Sequence, residues 1–479
     1  MKRNLSIYAG FAILLSSLSA CASGGGKITL KIGFWPNSTD TKDVAMYEEW
    51  KKSFEKDNPE YVIKGVPYTY SLETIAQKAL SNSLPDVWQT WFTEPPTLVA
   101  NNYIRPITDI LKENGWIDKM DEEMKAQLTI GNELYGIPRD GYGLGLIINK
   151  RLIGDNTDFF LNKKDESGKI IEGEYSIYKE DGSPAYPTTF AQIKEIAEEI
   201  NDNSGESVKG ILILSDNKEG GWQFSNMAWN FGAEHLVNKD SSGKWVSNLA
   251  DPKAVEALSW IHSLRQEGLL LKDTTKVYND WTSVISSQVA MAIVGNDVIQ
   301  NAAVVGKMDM KDLAFVPMPT GDGTHHYSLY GGTPYVFTKG VSDEKVKGIL
   351  KFFDYIGRSP STSEANLSAI KKGYEVAKLK NQPILPTIRP WINEDFVKEA
   401  KKLENEYLSI NIEDFSPFYD SISANKHGEE PIETQTMYGF LDTAIKGVIG
   451  SSYATANPTA LLTTANSKFQ NYLDSKVNK

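Results

Sequence analysis

One cysteine stands among 479 residues, Cys21. A lone thiol makes no intramolecular disulfide and cannot supply the several thiolates of a structural zinc site. Histidine is also scarce, with five, at positions 235, 262, 325, 326 and 427. None falls in the HExxH spacing that sets two imidazoles on one helix face. His325 and His326 are neighbours in the loop GDGTHHY, where adjacent side chains of extended backbone point apart, so they read as solvated loop residues. A GxSxG elbow, a Walker loop and a GxGxxG turn before a helix are all absent. GYGLGL at 141–146 leads into a strand and presents no helix N-terminus to a phosphate. Nothing marks out a carboxylate pair of glycosidase type, so no catalytic residue, metal or cofactor is expected. Positive charge is in deficit, 50 Lys and Arg against 62 Asp and Glu, a net −12 that argues against nucleic acid as a partner. Beyond residue 20 no run approaches the ~20 apolar residues needed to span a bilayer.

The cysteine's position explains it. Lys2 and Arg3, the apolar stretch Leu5–Leu18 and the small residues Ser19 and Ala20 read as a secretory signal over residues 1–20. Leu18-Ser19-Ala20-Cys21 resembles the lipobox of bacterial lipoproteins, in which the cysteine becomes the lipidated N-terminus. Gly24–Gly26 then form a flexible tether.

The remaining chain is long enough for two or three domain-sized units. KITLKIGFW reads as a first strand, and Val44, Tyr47, Trp50 and Phe54 lie at helical spacing up to Asn58-Pro59. YVIKGV returns as a strand, and SLETIAQKALSNSLPDVW gives a helix and a short strand. This β-α-β-α-β opening is the pattern of a parallel sheet covered by helices. It recurs with strand 143–149, a helix carrying Phe190, Ile193, Ile196, Ala197 and Ile200 on one face, and strand 210–214. Asp251-Pro252 starts another helix, with Asp as N-cap. Strands 289–295 and 313–318 follow, and from about 345 the pattern is mostly helical. The polar stretch 163–187 and LVNKDSSGKWVSN look like surface additions, the second a hairpin turning at Ser242-Gly243.

Aromatic and amide residues gather just after strand ends. In open α/β sheets ligands bind at the carboxyl ends of strands. Trp35 and Asn37 follow the first strand; Trp88, Gln89 and Trp91 the third; Arg139, Asp140 and Tyr142 follow LYGIP. Trp222 follows GILILS, Asn296 and Asp297 follow VAMAIVG, and Arg389 and Trp391 follow the proline-rich QPILPTIRPW. Flat rings suit the C–H faces of pyranoses, and Asp, Asn, Gln and Arg suit vicinal hydroxyls. Trp50 and Trp260 sit on helical stripes and read as core; Trp116, Trp229 and Trp245 read as packing; Trp281 is open to either reading. Only part of the set Trp35, Trp88, Trp91, Trp222 and Trp391 is expected to face a ligand. Gly332, in the pair Gly331-Gly332, allows either a turn or close backbone approach.

ALSNSLPDVWQTW, ELYGIPRDGYGLGLIINKRLI, PTTFAQIKEIA, the WNFGAEHLVNKDSSGKWVSNLADPKAVEALSWIHSLRQEGLL stretch, SSQVAMAIVGND and LAFVPMPTGDG, in this order, resemble the family 1 extracellular solute-binding proteins, the sugar-binding lipoproteins of bacterial ABC importers. The resemblance implies an α/β fold of two lobes, each a mainly parallel sheet flanked by helices, with the ligand cleft between them. Lobe one would be 27–140 plus 317–372, and lobe two 141–316 plus 373–479. Crossings would fall near Arg139–Tyr142, near Val316–Pro319, and within Lys372–Pro390. It further implies a non-enzymatic monomer, anchored by lipid on the outer face of the cell membrane, that closes on a mono- or oligosaccharide and hands it to permease subunits. One departure is Asp297, where many sugar binders place an aromatic residue. The 163–187 insertion is long for the family and reads as decoration. Against this stand a binder of a polyamine or glycerol phosphate on the same scaffold, and a surface glycoside hydrolase.

Overall fold

The computed structural model describes residues 26–479. The signal segment 1–20 and Cys21 lie outside the described residues. Nine strands form one continuous, strongly divided sheet: β1 (Ile28–Ile32), β2 (Tyr61–Gly65), β3 (Val87–Gln89), β4 (Gly136–Asn149), β5 (Lys209–Leu212), β6 (Val289–Gly295), β7 (Leu313–Val316), β8 (Ser328–Phe337) and β9 (Lys426–His427). In the first lobe the order is β2-β1-β3-β8-β4; in the second, β4-β6-β5, with β7 also on β4.

The α/β fold with helix-flanked sheets is as expected, but the strands are mixed rather than mainly parallel. β1 pairs parallel with β2 and β3, and β6 parallel with β5, as helical crossovers require. β4 and β8 instead run through both lobes in opposite directions. They therefore pair antiparallel with each other, and with β6, β7 and β3 respectively. The register of β8 on β4 slips between Gly332 and Pro334. Such a bulge bends a strand, and here the bend lies where the lobes meet.

Period-two alternation gives the second lobe a core on each face of its sheet. Ile148, Met291 and Ile293 face one core, and Ile147, Ala292 and Val294 the other. The first core is covered by α2 (Phe190–Asn203), α3 (Glu219–Asn230) and α4 (Pro252–Gln266), with a pair of helices from the end of the chain. Helix α2 buries the whole stripe Phe190, Ile193, Ile196, Ala197 and Ile200, and a Thr189–Gln192 capping box starts it. Asp251 caps α4, accepting from Lys253 N at 2.7 Å.

The observed packing divides the chain differently from the expected limits. Residues 317–327 stay with the second lobe, where Met318 joins the core and Thr320 N donates to Thr188 O at 2.9 Å. The passage into lobe one is made by β8. Helices α5 (Asp343–Tyr355), α6 (Glu364–Leu379) and α7 (Glu394–Tyr407) all pack on lobe one, beside α1 (Thr41–Asp57). Ion pairs tie α6 to α1, Lys372–Glu49 at 3.1 Å and Lys380 to Asp40 at 2.8 Å and to Asp43 at 3.0 Å, while Phe352, Phe353, Phe396 and Ala400 bury α5 and α7 in the core. The chain returns to lobe two only around Asp414, whose carboxylate meets Lys150 at 2.8 Å with both side chains buried. Then α8 (Ser416–Asn425) sets Phe418 against Phe315, and α9 (Thr434–Ile449) and α10 (Pro458–Lys476) complete the lobe-two core. The 163–187 stretch forms an antiparallel hairpin, Leu161–Lys164 with Ile170–Ser176, and none of it lines the cleft. Among the described residues no helix is long and apolar enough to cross a membrane.

Candidate functional site

Between the lobes lies a cavity of about 530 Å³. Its first wall comes from lobe one, from the loop after β2 (Tyr70, Leu72, Glu73) and the loop after β3 (Trp91, Phe92, Thr93). Tyr70 is buried and stacks on Trp88 with centroids 5.7 Å apart and planes 10° apart. Its hydroxyl donates to the buried Glu94, and Trp91 stands edge-on to it at 5.2 Å. Trp91 itself is 45% exposed, an apolar ring left open in the cleft.

The second wall is built around the start of α3. Asn217 and Lys218 both take left-handed backbone, φ 59° and 69°, which non-glycine residues rarely adopt. The Asp442 carboxylate of α9 holds this turn, accepting from Lys218 N at 2.6 Å and from Gly221 N at 2.7 Å. A Cβ on Gly221 would come within 2.3 Å of Tyr438 O, so glycine lets α3 and α9 touch backbone to backbone. This contact sets Trp222 in the cleft. The indole lies edge-on between Tyr142, at 6.4 Å, and Tyr278, at 5.0 Å. The Tyr278 hydroxyl accepts from Gly295 N at 2.8 Å, which fixes the ring beside the end of β6.

Carboxylates interleave with these rings. Asp297 opens to the cleft, so water reaches it. Even so, the surrounding protein, and secondarily the Asp140 carboxylate, push its pKa up to about 6, a shift that this water moderates. Glu429 is half-buried and accepts from the Tyr438 hydroxyl at 2.5 Å. Burial raises its pKa to about 7, with the neighbouring Glu430 adding repulsion. Glu219 receives Tyr278 N and Asn217 Nδ2. Gln435 of α9 reaches across to Thr93 of lobe one, Nε2 to Oγ1 at 3.3 Å.

The cavity brings together five of the expected residues: Trp91, Tyr142, Trp222, Asp297 and Gly332. At Gly332 a Cβ would lie 2.2 Å from Asp140 O, so glycine here permits the close pairing of β8 with β4. The others stand elsewhere. Trp88 is wholly buried and donates Nε1 to Thr338 Oγ1 at 2.9 Å. Trp35 is buried against Gly65 and edge-on to Tyr47 at 5.2 Å, and Asn37 lies in an exposed turn that accepts Asp40 N. Arg139 donates to Asp140 at 2.8 Å and to Gln89 at 3.4 Å, forming a cluster that does not line the cavity. Asn296 is buried, holding Gly143 N at 2.9 Å. Arg389 is bound to Glu404 and the Tyr374 hydroxyl, and Trp391 is buried beside Trp116 with Nε1 on Arg358 O. These last two lie in the helical layer of lobe one, because α6 and α7 belong there.

Tyr70 and Tyr278 were missed by sequence reasoning, although both carry the aromatic signal used elsewhere, Tyr70 shortly after a strand. Glu429, Gln435 and Tyr438 carry no local signal; α9 brings them from the far end of the chain. Among the described residues no group of three His, Cys, Asp or Glu side chains could hold a metal ion.

Comparison with known proteins places this architecture. Residues 35–361 match the model of the bacterial extracellular solute-binding protein family, and the chain belongs to that family. A protein of Escherichia coli K12 named as an ABC transporter periplasmic-binding protein, YcjN, is 20% identical over 414 residues, covering 83% of this chain and 84% of its own. The fold is shared with the GacH receptor of Streptomyces glaucescens, solved unliganded and with acarbose (TM-score 0.65, 16% identity, 94% and 99% of the two chains). It is shared likewise with UgpB of Mycobacterium tuberculosis in complex with glycerophosphocholine (TM-score 0.66, 14% identity, 95% and 100%). The chain is thus a solute-binding protein of an ABC importer, in a family of extracellular or periplasmic transport proteins rather than enzymes.

Proposed function

We propose that this protein captures a carbohydrate, a mono- or oligosaccharide, in the cleft between its lobes and delivers it unchanged to the permease of an ABC transporter. The observation that carries the reading is the mixture in the cavity: Trp91, Tyr142, Trp222 and Tyr278 supply ring faces, and carboxylates and amides between them supply partners for hydroxyls. Closure bends β4 and β8 at their passage between the lobes, and the Thr93–Gln435 contact tightens with it. Cys21 carries the lipid that keeps the protein on the outer face of the membrane. A glycerol phosphate fits less well, since Lys218 is the single Lys or Arg among the lining residues.

The test is calorimetric titration of the soluble chain from Lys27 onward with mono- and oligosaccharides, with tryptophan fluorescence followed in parallel. Micromolar or tighter binding of one sugar class, with the sugar recovered intact, is the expected result. Binding of no sugar, or recovery of cleaved sugar, would sink the reading. Mass spectrometry of the mature N-terminus should show a diacylglyceryl thioether on Cys21, and Cys21→Ser should abolish it.

A further inference from the structure

The charge of the cleft is one-sided. Glu73, Glu219, Asp297 and Glu429 line it, and the buried Glu94 stands directly behind Tyr70. Lys218 is the one cation in the lining. Among the described residues none of these five carboxylates makes an ion pair with a lysine, arginine or histidine. Their partners are neutral: the Ser71 hydroxyl for Glu73, Tyr278 N and Asn217 for Glu219, the Tyr438 hydroxyl for Glu429, and the Tyr70 and Thr93 hydroxyls for Glu94. Among the described residues Asp297 has no side-chain donor. The nearby cation Arg139 is taken up by Asp140 and Gln89.

The rings sit where a cation would use them. Tyr142 lies near both Asp297 and Glu429, whose charges bear on its hydroxyl, and Tyr278 lies near Asp297. Trp222 is edge-on to both tyrosines. Carboxylates interleaved with aromatic rings offer an alkylammonium both charge and ring quadrupoles. Closing such a cleft over a neutral sugar would instead strip water from unpaired carboxylates with no compensating charge.

We propose that the ligand is a cationic carbohydrate, an amino sugar or amine-bearing oligosaccharide whose protonated amine docks between Asp297 and Glu429 against Tyr142, Trp222 and Tyr278. The inference rests on the carbohydrate reading above and adds the charge. An alkylammonium stays protonated at neutral pH, as lysine does, so the complementarity holds under ordinary conditions. The amine takes over the place left without a protein cation, while the neutral hydroxyls meet Gln435, Thr93 and the remaining carboxylate oxygens.

The experiment is titration of the purified protein with matched probes: β-1,4-linked glucosamine oligomers, the same oligomers N-acetylated, neutral cello- and malto-oligosaccharides, an aminoglycoside built on 2-deoxystreptamine, and spermidine. Amine-bearing sugars are expected to bind at least about tenfold more tightly than their neutral counterparts, with the difference shrinking in high salt. Asp297→Asn should reduce that preference, the ratio of amine-bearing to neutral sugar affinity, by about tenfold, and Glu219→Gln should reduce it less. Equal or tighter binding of a neutral sugar overturns the charge inference and leaves the carbohydrate reading standing. Spermidine binding with no sugar bound overturns the carbohydrate reading, and this inference with it. Failure of every amine-bearing sugar to bind also overturns the inference, as does an Asp297→Asn variant with an unchanged preference.

Discussion

The two walls of the cleft are built on different principles. The first-lobe wall is an outgrowth of a hydrophobic core: Tyr70 stacks on the fully buried Trp88, and Trp91, three residues on, is the exposed end of the same aromatic group. The second-lobe wall is an outgrowth of polar contacts: a left-handed turn held by Asp442, a tyrosine pinned by Gly295 N, and carboxylates without cationic partners. The first wall offers a rigid platform with little chemical discrimination. The second carries most of the lining charge, Glu219, Asp297 and Glu429, against Glu73 on the first. Neighbours in sequence can thus stand on opposite sides of the boundary between stability and binding.

The largest expected effect separates Trp88 from Trp91. Trp88→Ala removes a fully buried indole and its bond to Thr338, and should cost ~3–5 kcal/mol in chemical denaturation. If the variant unfolds like the parent, the core role of this wall is wrong. Next comes Trp222→Ala, which should weaken ligand binding ~30–100-fold, about 2–3 kcal/mol, with a smaller loss of Tm than Trp88→Ala, because the half-buried ring lines the cleft while packing on both cores. A fall in Tm without loss of affinity would move Trp222 to the core side of the comparison.

A smaller effect follows from Glu429. Its folded pKa, about 7, lies above the 4.5 of an unperturbed glutamate. Between these values the folded state holds more protons than the unfolded one, so its contribution to stability is full below 4.5 and is lost as pH rises through about 7. The ligand-free protein should therefore lose Tm across that window, and Glu429→Gln should flatten the decline. Parallel pH profiles of parent and variant would show that Glu429 does not titrate as described. The smallest effect is that of Trp91→Ala, which should reduce affinity only ~3–10-fold and leave Tm unchanged, since a ring 45% exposed surrenders little burial.

The elements were legible where local pattern and tertiary role agree. The helix 190–203 follows from its apolar stripe and from the Thr189–Gln192 box, and β6 from its unbroken apolar run. Strand β4 was legible only in its second half. Its first half, GIPRDGY, carries Pro138, Arg139 and Asp140 and has no strand pattern. It is extended because β8 pairs with it on one side and Ile388 N-terminal to Trp391 bridges Gly141 on the other. In the site, the rule that aromatics follow strand ends found Trp91 and Trp222 and also selected Trp35 and Trp88. Rings at such positions turn either outward to the cleft or inward to the lobe, and the choice depends on which elements pack alongside. Arg389 and Trp391 were selected because they follow the proline-rich break; the packing of α6 and α7 on lobe one turns them into its helical layer.

By itself, the sequence determined the helix-and-strand alternation, the family resemblance, the acidic balance, and the lone cysteine behind an apolar stretch, because each is written in neighbouring residues or in composition. Tertiary structure alone decided which tryptophans serve the core and which the cleft, where the chain passes between lobes, and that Glu429, Gln435 and Tyr438 stand opposite Tyr70 and Thr93. Those outcomes depend on contacts between residues more than 300 positions apart, such as Thr93 with Gln435, |i−j| 342. No local pattern encodes them, because the energy that fixes them comes from packing and desolvation across the whole fold.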